Sequence, residues 1–154
     1  MDNKVTQVIK NIIKKNNFLV NDCFYGKINT IGNEKCILQE QIKMGGVYGI
    51  SIKIDNSSNK QEILSKINKL SNSTSITINQ WKEIGNGYYP LYWGIDSYLG
   101  SRIHAHIKQS NTTRAIHLSN SRYSFLEEYE VVYGAVLCEN KEKIEKKLNK
   151  IRMF

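Results

Sequence analysis

The 154-residue sequence has only 1 proline, 3 cysteines and no long apolar run. So little proline, with 40% apolar residues, favours a folded globular chain over a disordered one. The cysteines (Cys23, Cys36 and Cys138) lack C-x-x-C spacing, which argues against a zinc site or a disulfide framework. The longest apolar stretch, residues 131–138, is far too short to cross a bilayer, so we expect no membrane association.

The sequence near Met1 also lacks the apolar core of a secretory signal. Together with thiols that have no evident pairing, this predicts a protein of the reducing cytoplasm. The length suits one domain spanning 1–154, in which 1–44 would form an N-terminal helix and extension.

Acidic residues are missing from one part of a basic chain whose formal net charge is +8. Between Ser97 and Arg122 there is no Asp or Glu, but there are three histidines and four cations: Arg102, Lys108, Arg114 and Arg122. Arginine grips phosphate with a planar fork, so this window predicts anion binding. A basic surface also suits acidic proteins and anionic lipid head groups. If the anion is a nucleic acid, we expect Lys108, Arg114, His117 and Arg122 to contact it, although His117 could equally be a surface residue. For the overall charge we favour a simpler origin, the composition of an AT-rich genome.

Apolar periodicity predicts the elements of a mixed fold. Helical spacing of Val5, Val8, Ile9, Ile12 and Ile13 predicts an N-terminal helix, whereas 21–45 looks irregular except for an optional strand at 36–42. Alternation of Ile50, Ile52 and Ile54 predicts a half-buried strand that carries Tyr48 on the same face.

The second half of the chain continues this alternation of helices and strands. We expect a short helix around 63–70, a strand near 76–78, a turn at 85–87, a strand at 89–93 and a helix capped by Asp96 or Ser97. A strand from Tyr129 toward Leu137 and a helix capped by Asn140 would follow. The fold class is therefore α+β, with a small, mainly antiparallel sheet flanked by helices.

Three kinds of side chain in this layout could carry chemistry. Arg102 and His106 lie at i and i+4 and share a helix face, suited to holding a phosphate and moving a proton, or simply to facing water. In the closing helix, Glu145 lies nearer the apolar stripe than Glu142 and could bind Mg²⁺, or pair with a neighbouring lysine.

Two tyrosines stand next to glycines at strand positions. Tyr48 lies in Gly46-Val47-Tyr48-Gly49-Ile50, and Tyr92 lies in Tyr92-Trp93-Gly94. Glycine leaves little bulk around a phenol. A tyrosine has an ordinary pKa near 10, so a nearby cation would have to help it act as a base.

Two triplets, Gly46-Val47-Tyr48 and Tyr92-Trp93-Gly94, precede the Arg-x-x-x-His helix and a later helical glutamate. This set resembles the signature of the GIY-YIG nuclease superfamily. The resemblance covers 46–108 and Glu145, and it implies a metal-dependent endonuclease that hydrolyses DNA phosphodiester bonds. It implies that Tyr48 acts as base or relay near the attacking water, and that Tyr92 shapes the site. Arg102 would stabilise the phosphorane, His106 would assist proton transfer, and Glu145 would bind one Mg²⁺ or Mn²⁺.

The sequence departs from the family pattern in two places. Trp93 replaces the usual aliphatic residue, and the segment between the two triplets is much longer than the usual hairpin, so we treat 55–87 as a helix-strand insertion. Such insertions occur in restriction-type members, and an enzyme of that type would be expected to form a homodimer. Two alternatives stay open: a nucleic-acid-binding domain of the same fold without catalysis, and a structural or interaction domain.

Overall fold

The computed structural model describes residues 3–28, 45–55, 57–72, 83–99, 103, 125 and 128–152. Within these residues the chain forms three helices and a four-stranded sheet, which confirms the α+β class. In chain order the elements are α1 (Lys4–Lys15), β1 (Cys23–Lys27), β2 (Gly46–Lys53), α2 (Ser57–Asn72), β3 (Tyr88–Asp96), β4 (Glu130–Leu137) and α3 (Lys141–Arg152).

The sheet has the strand order β1-β4-β2-β3, and each neighbouring pair is antiparallel. Strands β2 and β4 occupy its centre and are buried along almost their whole length. Strand β3 is the outer strand on one side of the described sheet, and β1 is the outer strand on the other.

One side of the sheet, here called the α1 face, is covered by α1 and α3. Their buried residues pack against the strands in a single cluster: Val5, Ile9, Ile12, Ile13, Val47, Trp93, Val132, Val136, Cys138, Ile144 and Leu148. Helix α1 forms because its apolar residues recur at helical spacing and because Asn3 caps it, accepting a hydrogen bond from the backbone N–H of Thr6 at 3.0 Å. The Asn3 amide also donates to the carbonyl oxygen of Tyr133 at 2.7 Å and so ties the helix to β4.

The other side, here called the tyrosine face, carries the second cluster. Its buried members are Tyr48, Ile50, Ile52, Ile54, Leu64, Tyr89, Leu91, Leu99, Ile103, Val131, Tyr133 and Ala135. Leu64 brings α2 onto this face, while Leu99 and Ile103 are both helical and fully buried. The predicted apolar stripe after β3 therefore packs on the tyrosine face at these two residues.

Two sequence expectations about strands were wrong. The segment from 21 to 45 is not simply irregular, because Cys23–Lys27 forms β1 and pairs with β4; the optional strand at 36–42 lies outside the described residues. Strand β2 is not half-buried but covered on both faces, since α1 packs over the side that alternation assigned to solvent. Even Ser51 is fully buried.

The turn at 85–87 is confirmed by its backbone. Gly85, Asn86 and Gly87 all have positive φ angles, of 120°, 54° and 80°, which glycine and asparagine adopt at least cost. Strand β3 starts directly after this turn. Among the described residues, no helix has the length and apolar character that a membrane crossing requires.

Candidate functional site

Tyr48 and Tyr92 meet on the tyrosine face. Strands β2 and β3 are hydrogen-bonded neighbours, with Tyr48 opposite Gly94 and Ile50 opposite Tyr92. The two phenol rings stack with 5.9 Å between their centroids and an interplanar angle of 28°. Residues that are far apart in the sequence are therefore in contact.

A β-bulge in β3 lies between Tyr89 and Tyr92 and allows both tyrosines to face the same side of the sheet. Ile50 pairs with Tyr92 and Ser51 pairs with Pro90, so Leu91 is an extra residue in β3. Without it, strict alternation would put Tyr89 and Tyr92 on opposite faces. The bulge instead leaves both beside the same cluster. Proline is tolerated at this position because it occupies an outer strand next to a bulge.

Each of these two strands supplies a glycine that an aromatic residue of the other strand covers. A Cβ at Gly94 would lie 2.7 Å from the Cζ and hydroxyl of Tyr48 and 2.7 Å from Cε1 of Tyr92. A Cβ at Gly49 would lie 2.4 Å from Cζ3 of Trp93 on the α1 face. The two strands thus interlock through one glycine-aromatic pair on each face, which gives Gly49 and Gly94 a packing role.

The two phenols differ in their access to solvent. Tyr48 has 0% of its surface exposed, whereas Tyr92 is half-buried. Solvent therefore reaches Tyr92 but not the Tyr48 ring on which it stacks. The sequence does not reveal this difference because both tyrosines have the same glycine-flanked setting.

Strand β3 leads directly toward the predicted arginine-histidine helix. The Asp96 carboxylate accepts a hydrogen bond from the backbone N–H of Tyr98 at 2.9 Å, as an N-terminal cap does. Leu99 and Ile103, one turn apart, are the described part of the helix. The other predicted site residues of this window lie outside the described residues: Arg102, His106, Lys108, Arg114, His117 and Arg122.

Glu145 is on α3, which covers the α1 face rather than the tyrosine face. Its neighbours Ile144 and Leu148 are fully buried against Val47 and Trp93 in the α1-face cluster. Glu145 itself is half-buried, as its helical angle predicted. The described structure therefore unites the two tyrosines on one face and places the glutamate helix on the other.

Glu142, the alternative carboxylate on α3, is an ordinary surface charge. Its side chain is 64% exposed and lies 3.7 Å from the Lys141 ammonium. This favours Glu145 over Glu142 for any role inside the protein.

One carboxylate lies beside a phenol of the tyrosine face, since Glu83 accepts a hydrogen bond from the Tyr89 hydroxyl. Mg²⁺ is held by one or two carboxylates and completes its shell with water and phosphate oxygens. Among the described residues, no three His, Cys, Asp or Glu side chains are grouped as metal ligands, and all three histidines fall outside that set. The buried residues of α3 pack on the α1 face, so this packing does not bring the Glu142 and Glu145 carboxylates onto the tyrosine face.

Tyr89 is a third phenol on this face that sequence reasoning did not single out. Its hydroxyl donates to a carboxylate oxygen of Glu83 at 3.3 Å. Burial and the nearby Glu83 charge both raise the pKa of Tyr89, so this phenol keeps its proton at neutral pH. The sequence feature that could have drawn attention to Tyr89 is its position shortly after the turn at 85–87.

No family model, curated protein or solved structure matches this chain. The resemblance to a nuclease family therefore rests on the two triplets, on Arg102, His106 and Glu145, and on the order of these residues in the chain.

Proposed function

We propose that this protein is a metal-dependent endonuclease that hydrolyses DNA phosphodiester bonds, with a GIY-YIG-like core. The observation that carries the proposal is the stacking of Tyr48 on Tyr92 across adjacent antiparallel strands. Core packing alone does not require two glycine-flanked phenols to meet where a strand leads toward Leu99 and Ile103, which belong to the helix that the sequence predicts for Arg102 and His106.

The burial of the phenols assigns them different roles within this proposal. Tyr92, which solvent reaches, would contact the phosphate or the attacking water, and Tyr48 would hold the Tyr92 ring in place. His106 or the Tyr92 hydroxyl would take the proton of the attacking water as the bond from phosphorus to the leaving oxygen breaks. Arg102 would neutralise the charge that develops on the phosphate oxygens.

The proposal keeps Glu145 as the ligand of one Mg²⁺ or Mn²⁺ ion, which would supply Lewis-acid stabilisation of the phosphate. Because α3 packs on the α1 face, the carboxylate has to reach the phosphate past the outer edge of β3. Helix α3 contacts β3, and β3 is the outer strand of the described sheet, which supports an approach along this edge. A substrate would then lie along this edge and not on the centre of either face.

A second candidate function is a nucleic-acid-binding domain without catalysis. Two observations favour it: Tyr48 has no exposed surface, and α3 lies on the opposite face from the tyrosines. This alternative needs the basic residues but no metal and no accessible phenol.

Plasmid nicking separates the two candidates. The purified protein is incubated with supercoiled DNA in Mg²⁺, in Mn²⁺ and in EDTA, beside a Glu145→Gln variant prepared in the same way. The nuclease proposal predicts relaxed or linear product only with metal and only with the unaltered glutamate. DNA binding without cleavage under all conditions selects the binding domain, and cleavage by the variant removes Glu145 from the site.

A further inference from the structure

Helix α2 lies on the same side of the sheet as the tyrosines. Leu64 is fully buried in the tyrosine-face cluster, and Ile63 packs against it. The helix is the main described element of the segment between the two triplets. Its charged residues therefore border the face on which Tyr92 is accessible.

Two lysines of α2 stand over aromatic rings. The Lys60 ammonium is 5.5 Å from the centre of the Tyr89 ring, and the Lys66 ammonium is 4.1 Å from the centre of the Phe125 ring. A ring attracts a cation through its negative face and limits the positions that the long side chain samples. Both ammonium groups are thus held near the tyrosine face before any ligand arrives.

Within the described residues a carboxylate lies in the surroundings of one of the two lysines, since Glu83 accepts a hydrogen bond from Tyr89, whose ring Lys60 covers. Neither Lys60 nor Lys66 has an ion pair there, whereas Lys53, which also stands over a ring, lies 3.9 Å from the Asp55 carboxylate. A ring uses no N–H donor of the ammonium in a conventional hydrogen bond, so the donors stay available to an anion. The only acidic residue of α2 is Glu62.

We infer that α2 binds the phosphate backbone of DNA through Lys60 and Lys66, and so determines how the duplex lies on the tyrosine face. The inference rests on the proposed function, since it names the surface that the substrate of that function would occupy. Charge complementarity selects the phosphate backbone: a duplex presents closely spaced anions to two oriented cations on a protein of net charge +8. The simpler alternative is that both lysines cover aromatic surface with their stems and contribute nothing to binding.

The test compares two double variants of the full chain that remove the same charge from opposite faces. Lys60→Gln/Lys66→Gln alters the tyrosine face, and Lys14→Gln/Lys15→Gln alters two exposed lysines of α1 on the other face. Binding to a short labelled duplex is followed by fluorescence anisotropy over a salt series in EDTA. A third variant, Lys60→Arg/Lys66→Arg, keeps the charge and the ring contacts.

The inference predicts that the α2 glutamine variant loses roughly 10- to 100-fold in affinity at moderate salt, and that its log-log salt slope falls by about 1.8. The α1 variant should stay within about twofold of the unaltered protein, and the arginine variant should regain binding. Equal losses in both glutamine variants would show an effect of net charge alone, and no loss in the α2 variant would leave those lysines a packing role. Either result overturns the inference while wild-type cleavage in Mg²⁺ still tests the proposed function separately.

Discussion

Tyr48 covers Gly94 across the β2–β3 pair so closely that any side chain at 94 would collide with it. A methyl group there would lie 2.7 Å from the Cζ and hydroxyl of Tyr48, and it would also meet the Tyr92 ring. The glycine therefore sets the distance between the two phenols.

Gly94→Ala should consequently separate the rings and destabilise the protein. We expect the free energy of unfolding to fall by about 1–3 kcal/mol, as overpacking of a core does, and the near-ultraviolet circular dichroism of the tyrosines to change. Urea denaturation measures the first effect. Gly26→Ala on the outer strand β1 is the matched control, because its Cβ would meet the Tyr133 ring at 3.0 Å and needs only a small adjustment. An equal loss in the control would contradict a special role for Gly94.

The different burial of the two phenols predicts different effects of removing each hydroxyl. Tyr92→Phe should lower the rate of DNA cleavage by roughly 10²-fold or more, because the hydroxyl that reaches the substrate is gone. Tyr48→Phe should cost only a few-fold, since the ring that supports Tyr92 remains. Single-turnover cleavage with thermal unfolding as a folding check measures both. If Tyr48→Phe is the more damaging change, the buried phenol is the chemical group and our assignment of roles is reversed.

The carboxylates of α3 provide a second matched pair. Glu145→Gln should reduce metal-dependent cleavage below detection, whereas Glu142→Gln should leave it nearly unchanged because that side chain is 64% exposed and faces Lys141. Cleavage is measured over a Mg²⁺ titration so that weakened metal binding is separated from lost chemistry. Equal activity of the two variants would exclude α3 from the site.

Ser51 offers a prediction about stability that is independent of function. Its hydroxyl is buried on the α1 face and has no hydrogen-bond partner in the described structure, as is also true of the Trp93 indole nitrogen. Ser51→Ala should therefore raise the free energy of unfolding by about 1 kcal/mol. Thr6→Val is the control: the Thr6 hydroxyl, also buried, donates to the Asn3 carbonyl at 2.9 Å, and losing that bond should cost about 1 kcal/mol. A loss in Ser51→Ala as large as in Thr6→Val would mean that the serine hydroxyl is bonded in solution.

Cys138 predicts how stability depends on alkaline pH. Burial raises the pKa of this thiol above its ordinary value of 9.0, although the nearby Asn140 N–H and Lys141 act in the opposite direction. As the pH rises from 9.0 through the folded pKa, the unfolded chain loses the proton first, so the folded state loses stability. The slope from this one group is at most about 1.4 kcal/mol per pH unit.

Urea denaturation between pH 9 and pH 10 measures this slope for the unaltered protein and for Cys138→Ala. Tyr88 and Tyr89, whose pKa values burial raises from 10.0, begin to contribute in the same range, but they do so in both proteins, so the difference between the two slopes belongs to the thiol. Cys138→Ala should flatten the dependence whatever its effect on absolute stability. An unchanged slope would show that the thiol ionises equally in both states.

The described helices could be predicted because their apolar residues recur at helical spacing in the sequence. Strands β2 and β4 could be predicted from the alternation of apolar and polar residues, and β3 from the turn that precedes it. Strand β1 could not: Cys23–Lys27 is short, contains a glycine and shows no alternation, so only its pairing with β4 makes it a strand. The burial of Ser51 has the same origin, since it depends on α1 packing over β2.

For the candidate site, sequence order indicated that Tyr48 and Tyr92 could meet, and they do. It could not indicate the extra residue at Leu91, because a bulge is a property of the paired strands and leaves no mark on a single one. Nor could it determine which side of the sheet α3 covers. The helical periodicity of α3 predicts where Glu145 lies relative to Leu148. The turn between β4 and α3 decides which face of the sheet the helix covers.

The position of β3 at the rim of the described sheet limits how two copies of this protein could associate. The edge strands of two identical subunits can pair into one continuous sheet, which is a common route to symmetric dimers. Under the proposed function, that arrangement would place a second copy of β3 along the edge where the substrate is proposed to lie. A dimer that cuts both DNA strands in the proposed way would therefore have to associate through another surface.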